Sequence, residues 1–140
     1  MIHDDLKLTG ALTIALNDVI VQETENLVVT AGKNWVADRM NNANTVMTHM
    51  AVGTGTTAAA AGQTALVTEN DRNTLTSTTV TANAVAYVAT WAAGDGTAAI
   101  TEAGIFDAAS SGDMLARTVF SVVNKGAADS MTITWTITVS

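Results

Sequence analysis

The sequence predicts an all-β fold with one short helix, arranged as an antiparallel β-sandwich or a jelly-roll-like barrel. Three observations lead there. The chain of 140 residues contains 24 threonines, and β-branched side chains favour the pleated backbone. Short runs of alternating apolar and polar residues recur between clusters of Gly, Asn and Asp, the pattern of antiparallel sheets. The clearest alternation closes the chain: Met131, Ile133, Trp135, Ile137 and Val139 share one face, and Thr132, Thr134, Thr136 and Thr138 share the other. That is the period of a half-buried strand.

The elements follow in order. Leu6-Lys7-Leu8 alternates until Gly10 breaks the run. Leu12 to Leu16 and Val19 to Thr24 form a hairpin about Asn17-Asp18. Glu25-Asn26 turns the chain into a short strand at Leu27 to Thr30. Thr30 is placed to cap a helix that runs to Asn42, with Ala31, Trp35, Val36 and Met40 on one face. So short a helix is stable only when docked on a sheet. Val46 to Val52 is the next strand. Gly53 to Leu66 has no period and forms the longest irregular stretch, the kind of loop that often binds.

Asn73 to Val80 reads as one Thr-rich strand, with Ala82-Asn83 turning into Ala84 to Trp91. Ala93 to Gly96 is a turn. Ala98 to Phe106 follows, interrupted at Glu102-Ala103-Gly104, where Gly104 marks a bulge. Asp107 to Asp113 turns into a strand from Met114 to Val123, and Asn124 to Ser130 is the last turn. The closing strand has no Lys or Pro to guard an edge, so it must be central or covered. Residues 1–8 form an N-terminal arm and residues 9–140 a single β-sandwich domain, with no internal repeat or linker.

Composition excludes several functions. Net charge is −7, and the six basic residues are scattered as Lys7, Lys33, Arg39, Arg72, Arg117 and Lys125. Nucleic acid requires clustered cations, so neither it nor an anionic membrane is an expected partner. With no cysteine there is neither a disulfide nor a thiolate metal site. The acidic start, Met1 to Asp5, is unlike a signal peptide, and no apolar run is long enough for a membrane helix.

Chemistry-bearing residues are sparse. His3 and His49 are isolated, so no zinc set is expected. Glu23 with Glu25, and Glu69 with Asp71, read as solvated acids; a glycosidase needs two carboxylates across a sugar cleft. Gly53-Thr54-Gly55 lacks the Gly-Lys-Ser/Thr ending of a phosphate loop. Gly94-Asp95-Gly96 lacks the other acids of a calcium loop. Trp35, Trp91 and Trp135 read as core. Glu102 and Arg117 are placed to form an ion pair between strands, which matters mainly if buried. The expectation is a protein without catalytic residues, metal or cofactor.

The run Met50-Ala51-Val52-Gly53-Thr54-Gly55-Thr56-Thr57, followed by Thr64-Ala65-Leu66, resembles a block in small virion proteins of tailed bacteriophages. So do Ile100 to Asp107, Met114 to Phe120 and the closing Thr132 to Ile137. The resemblance spans Leu27 to the C-terminus. It implies a structural protein of the virion, made in the host cytoplasm, akin to capsid decoration (cement) proteins or to tail-fibre-associated proteins. The small size favours decoration of the capsid surface. On that resemblance the partner is the major capsid protein, the alternative being tail proteins or a host receptor, and the chain is a homotrimer. A small carbohydrate-binding or hydrolytic module is the third class. The candidate contact residues are Gly53, Thr54, Gly55, Thr56, Thr57 and Leu66 in the loop, and Met1, Ile2, His3 and Leu6 in the arm.

Overall fold

The computed structural model describes residues 5–41 and 45–140. Its elements are β1 (Leu8–Leu16), β2 (Val19–Glu25), β3 (Leu27–Val28), α1 (Thr30–Asn41), β4 (His49–Gly53), β5 (Glu69–Thr74), β6 (Ser77–Thr81), β7 (Ala84–Trp91), β8 (Ala98–Phe106), β9 (Met114–Lys125) and β10 (Met131–Val139). They build two five-stranded antiparallel sheets, ordered β2-β1-β10-β7-β6 and β3-β9-β8-β4-β5. The sheets pack face to face as a β-sandwich.

The closing strand lies centrally, as its pattern requires. β10 is bonded to β1 along one side and to β7 along the other. Met131, Ile133 and Trp135 are fully buried, while Thr134 on the opposite face is exposed. The same rule places Leu12 and Ile14 of β1, Ala89 and Trp91 of β7, and Met50 and Val52 of β4 in one core between the sheets. Burying each large aliphatic side chain contributes about 1.5–3 kcal/mol, so this layer dominates the stabilising terms. A second cluster lies apart from it, where Ala51, Phe106 and Met114 of the strands meet Val29, ahead of α1, and Leu66, between β4 and β5.

The β1–β2 hairpin turns at Asn17 and Asp18, both at positive φ (50° and 66°), as a two-residue turn demands. Gly10 does not break β1. The strand passes straight through it, and the Asn26 side chain occupies the space a Cβ there would need. Asn26 Oδ1 then accepts the Trp135 indole N–H at 2.7 Å. The arm is also shorter than the sequence suggests. Leu8 already belongs to β1, and Lys7 and Ser140 exchange backbone bonds of 2.7 and 2.9 Å.

The helix starts at Thr30 as expected, but Met40, a turn past Val36, is 83% exposed and does not pack. Gly32 is the residue that is fully docked, against the Leu115 backbone carbonyl, with Trp35 and Val36 partly buried beside it. A small residue lets the helix approach the sheet closely. Strand β4 begins at His49, three residues later than the alternation suggests. Asn73 to Val80 is two strands in different sheets. Leu75 N–H donates to Thr48 O (2.8 Å) on one sheet and Thr76 N–H donates to Val88 O (2.7 Å) on the other. Strand β8 is continuous through Glu102-Ala103-Gly104. Its register against β9 shifts between Ile100 and Glu102 and between Ile105 and Phe106, not at Gly104.

Candidate functional site

The irregular segment between β4 and β5, residues 54–68, is anchored from end to end by a buried ion pair. Glu102 on β8 and Arg117 on β9 meet at 2.9 Å, and both side chains are 0% exposed. Gly104 is Arg117's direct cross-strand neighbour, and Glu102 sits two residues away on the same strand face. With no side chain between them, the long arginine reaches the carboxylate diagonally.

Each charge then holds the loop. Glu102 Oε1 accepts the Thr68 N–H at 3.1 Å and Oε2 accepts the Val67 N–H at 3.3 Å. Arg117 Nη1 donates to the Thr57 carbonyl at 2.9 Å and to Gln63 Oε1 at 3.0 Å. Thr101 Oγ1 donates to the Gly55 carbonyl at 2.8 Å, and the Thr30 N–H at the start of α1 donates to the Ala61 carbonyl at 2.8 Å. Gln63 closes the tip, where its Oε1 also accepts the Ala60 N–H at 3.0 Å. Buried charges need such partners, because removing them from water costs several kcal/mol each.

Gly55 explains the local sequence. A Cβ there would collide with the Glu102 carboxylate, so the chain must be bare where it crosses the ion pair. This sorts the expected contact residues. Thr54, Thr56 and Thr57 are exposed, whereas Gly53, Gly55 and Leu66 are buried. Those three shape the loop from beneath and offer no contact surface, and Leu66 belongs to the second hydrophobic cluster. Leu6 is 72% exposed. Met1, Ile2 and His3 lie outside the described residues.

What the loop presents is uncharged. Ala58, Ala60, Ala61, Thr64 and Ala65 are exposed beside the threonines, and Val67 is 49% exposed. An open hollow of about 460 Å³ lies between Thr56, Ala58 and the Glu25–Leu27 corner. The neighbouring turn, residues 107–113, is held in a similar way. Arg72 lies 3.8 Å over the Phe106 ring, donates to Glu69 at 2.7 and 3.2 Å, and reaches the Ala108 and Ser111 carbonyls at 2.9 Å each.

His49 and Glu69 are engaged structurally. The His49 ring nitrogens face the hydroxyls of Thr48 at 2.7 Å and Thr74 at 3.4 Å. Glu23 and Glu25 stand exposed on β2, and Glu69 is committed to Arg72. Among the described residues no group of three or more His, Asp or Glu converges as a metal site. Sequence reasoning located the ion pair but not what it holds. Gln63, Thr101 and the Val67 and Thr68 amides act through partners 34–54 residues away along the chain, and nothing local signals that distance. No protein-family model, curated protein or solved structure matches this chain.

Proposed function

We propose that this chain is a structural protein of a phage virion, a capsid decoration protein that binds the outer shell through the anchored loop and needs no catalytic group. The observation that supports this reading is the loop itself: an uncharged Thr/Ala surface hydrogen-bonded at Thr57, Gln63, Val67 and Thr68 to a fully buried ion pair. A pre-ordered loop loses little entropy on binding, and interface centres are depleted of charge. Binding across a seam between shell subunits stabilises only the assembled state. Modest affinity repeated over many sites becomes large avidity. The virion location rests on the resemblance of the Met50–Leu66, Ile100–Phe120 and Thr132–Ile137 blocks, as does a homotrimer seated at local three-fold axes of the major capsid protein. A tail-fibre or tail-tip role would use the same loop against a different partner.

Electron microscopy of particles with and without added protein tests this. Decoration predicts density at every local three-fold axis. A Thr57→Lys, Ala60→Lys variant, which folds normally because both positions are exposed, should bind at least about tenfold more weakly. Density confined to the tail, or unchanged binding by that variant, contradicts the reading.

A further inference from the structure

The open side of the sandwich carries an edge whose first residues bear no charge. β2 is the outer strand of its sheet, and Val19, Ile20 and Val21 at its start are 63, 59 and 43% exposed. β3 covers β9 only at Ala116 and Arg117, so the Val119–Lys125 half of β9 is also an edge, with Val122 51% exposed. The two edges are tied at one end, where Thr118 Oγ1 donates to the Glu25 carbonyl at 2.7 Å and Gln22 Nε2 donates to the Ser121 carbonyl at 3.3 Å. Towards the turn they part around a hollow of about 250 Å³ lined by Leu16, Val21, Gln22, Val122, Val123 and Asn124.

Edges of this kind recruit strands unless charge, proline, a bulge or shortness discourages it. β2 bulges at Val21, between its pairings to Ile14 and Ala15, and carries no charge before Glu23. β3 is two residues long, and β5 carries Glu69, Asp71 and Arg72. Among the described strands, only β2 begins with three consecutive exposed aliphatic residues. The rest of its hairpin is acidic: Asp18, Glu23 and Glu25 are exposed, and residues 8–25 contain no Lys or Arg. A second copy would bring those acids together on a chain already at −7. A basic strand would neutralise them.

We propose that β2 accepts an extended segment of another protein as an added strand, with small aliphatic residues opposite Val19–Val21 and Lys or Arg opposite Glu23 and Glu25. Main-chain bonds supply affinity, and the hollow and the two carboxylates supply specificity. This surface meets the hollow beside the anchored loop at Glu25 but not at Val19–Val21, so strand addition at Val19–Val21 stands or falls independently of capsid binding.

The probe is an acetylated, amidated peptide, Lys-Thr-Lys-Thr-Val-Val-Val, titrated into the labelled full chain and followed by amide NMR. The Val19–Glu25 amides should shift and gain exchange protection, while those of β6, the other edge of that sheet, stay unchanged. The Glu23→Lys, Glu25→Lys variant should bind about tenfold more weakly and prefer a peptide with Glu in place of Lys. Both changes are at exposed positions, and an unaltered melting curve confirms the fold. The proposal is overturned by silence at β2 with millimolar peptide, by equal shifts at β6, or by indifference to charge reversal. It is overturned equally if sizing shows a dimer whose β2 amides are already protected, which would make the occupant a second copy.

Discussion

Glu102 and Arg117 are the two charges the fold has removed furthest from water, and each has another duty besides pairing with the other. A buried pair contributes little net stability, but losing one member strands the other. Glu102→Gln should therefore destabilise the protein by about 3–5 kcal/mol in urea unfolding. Replacing both with apolar residues, Glu102→Leu with Arg117→Met, should recover most of that loss while releasing the loop. A single change costing under about 1 kcal/mol would mean that the pair is not desolvated. Asp129 works at the surface. The Asn17 side-chain amide, at 2.8 Å, and then the Gly126 N–H, also at 2.8 Å, hold its carboxyl below the usual value. A depressed value in the folded state stabilises the ionised form. That contribution is present above the unfolded carboxylate pKa of about 3.9 and is lost as pH falls through the lower folded value. Melting curves of Asp129→Asn should lie below wild type at neutral pH and converge with it in strong acid. A gap independent of pH would refute the linkage.

At the scale of elements, the buried face of β10 was legible because nothing interrupts its alternation, and that alternation has direct energetic content. Ile133→Ala opens a cavity in the core and should cost about 2–5 kcal/mol, whereas Thr134→Ala on the exposed face should stay within about 0.5 kcal/mol. Denaturant midpoints for the two variants check this, and similar losses would mean that the strand is not one-sided. The helix begins at Thr30, although the first helical bond runs to the Val29 carbonyl and so puts the cap one residue earlier. The hairpin at Asn17-Asp18 was legible because local chemistry determines it. The split at Leu75-Thr76 was not. Thr-rich sequence alternates equally well on either side of it, and only the partners Thr48 and Val88, one in each sheet, divide it. Met40 satisfied the helical spacing but is exposed. Gly32, which carries no hydrophobic signal, makes the close contact instead.

For the whole molecule, the sandwich separates three surfaces. One sheet's outer side carries the anchored loop over a second small core. The other sheet shows rows of threonine and alanine from β1, β10 and β7. The open side between β2 and β9 is aliphatic and acidic. The absence of periodicity in Gly53 to Leu66 identified the loop, but could not show which of its residues face outward, because that depends on a carboxylate and a guanidinium supplied by strands far along the chain. Anchoring by the ion pair makes this loop a fixed platform and not a mobile tether. Native-state hydrogen exchange of the Val67 and Thr68 amides, which donate to Glu102, tests it most directly. Anchoring predicts exchange slowed to near the rate of global unfolding, as for core strands. Exchange at the rate of an unstructured loop, with the β8 and β9 amides still protected, would contradict it.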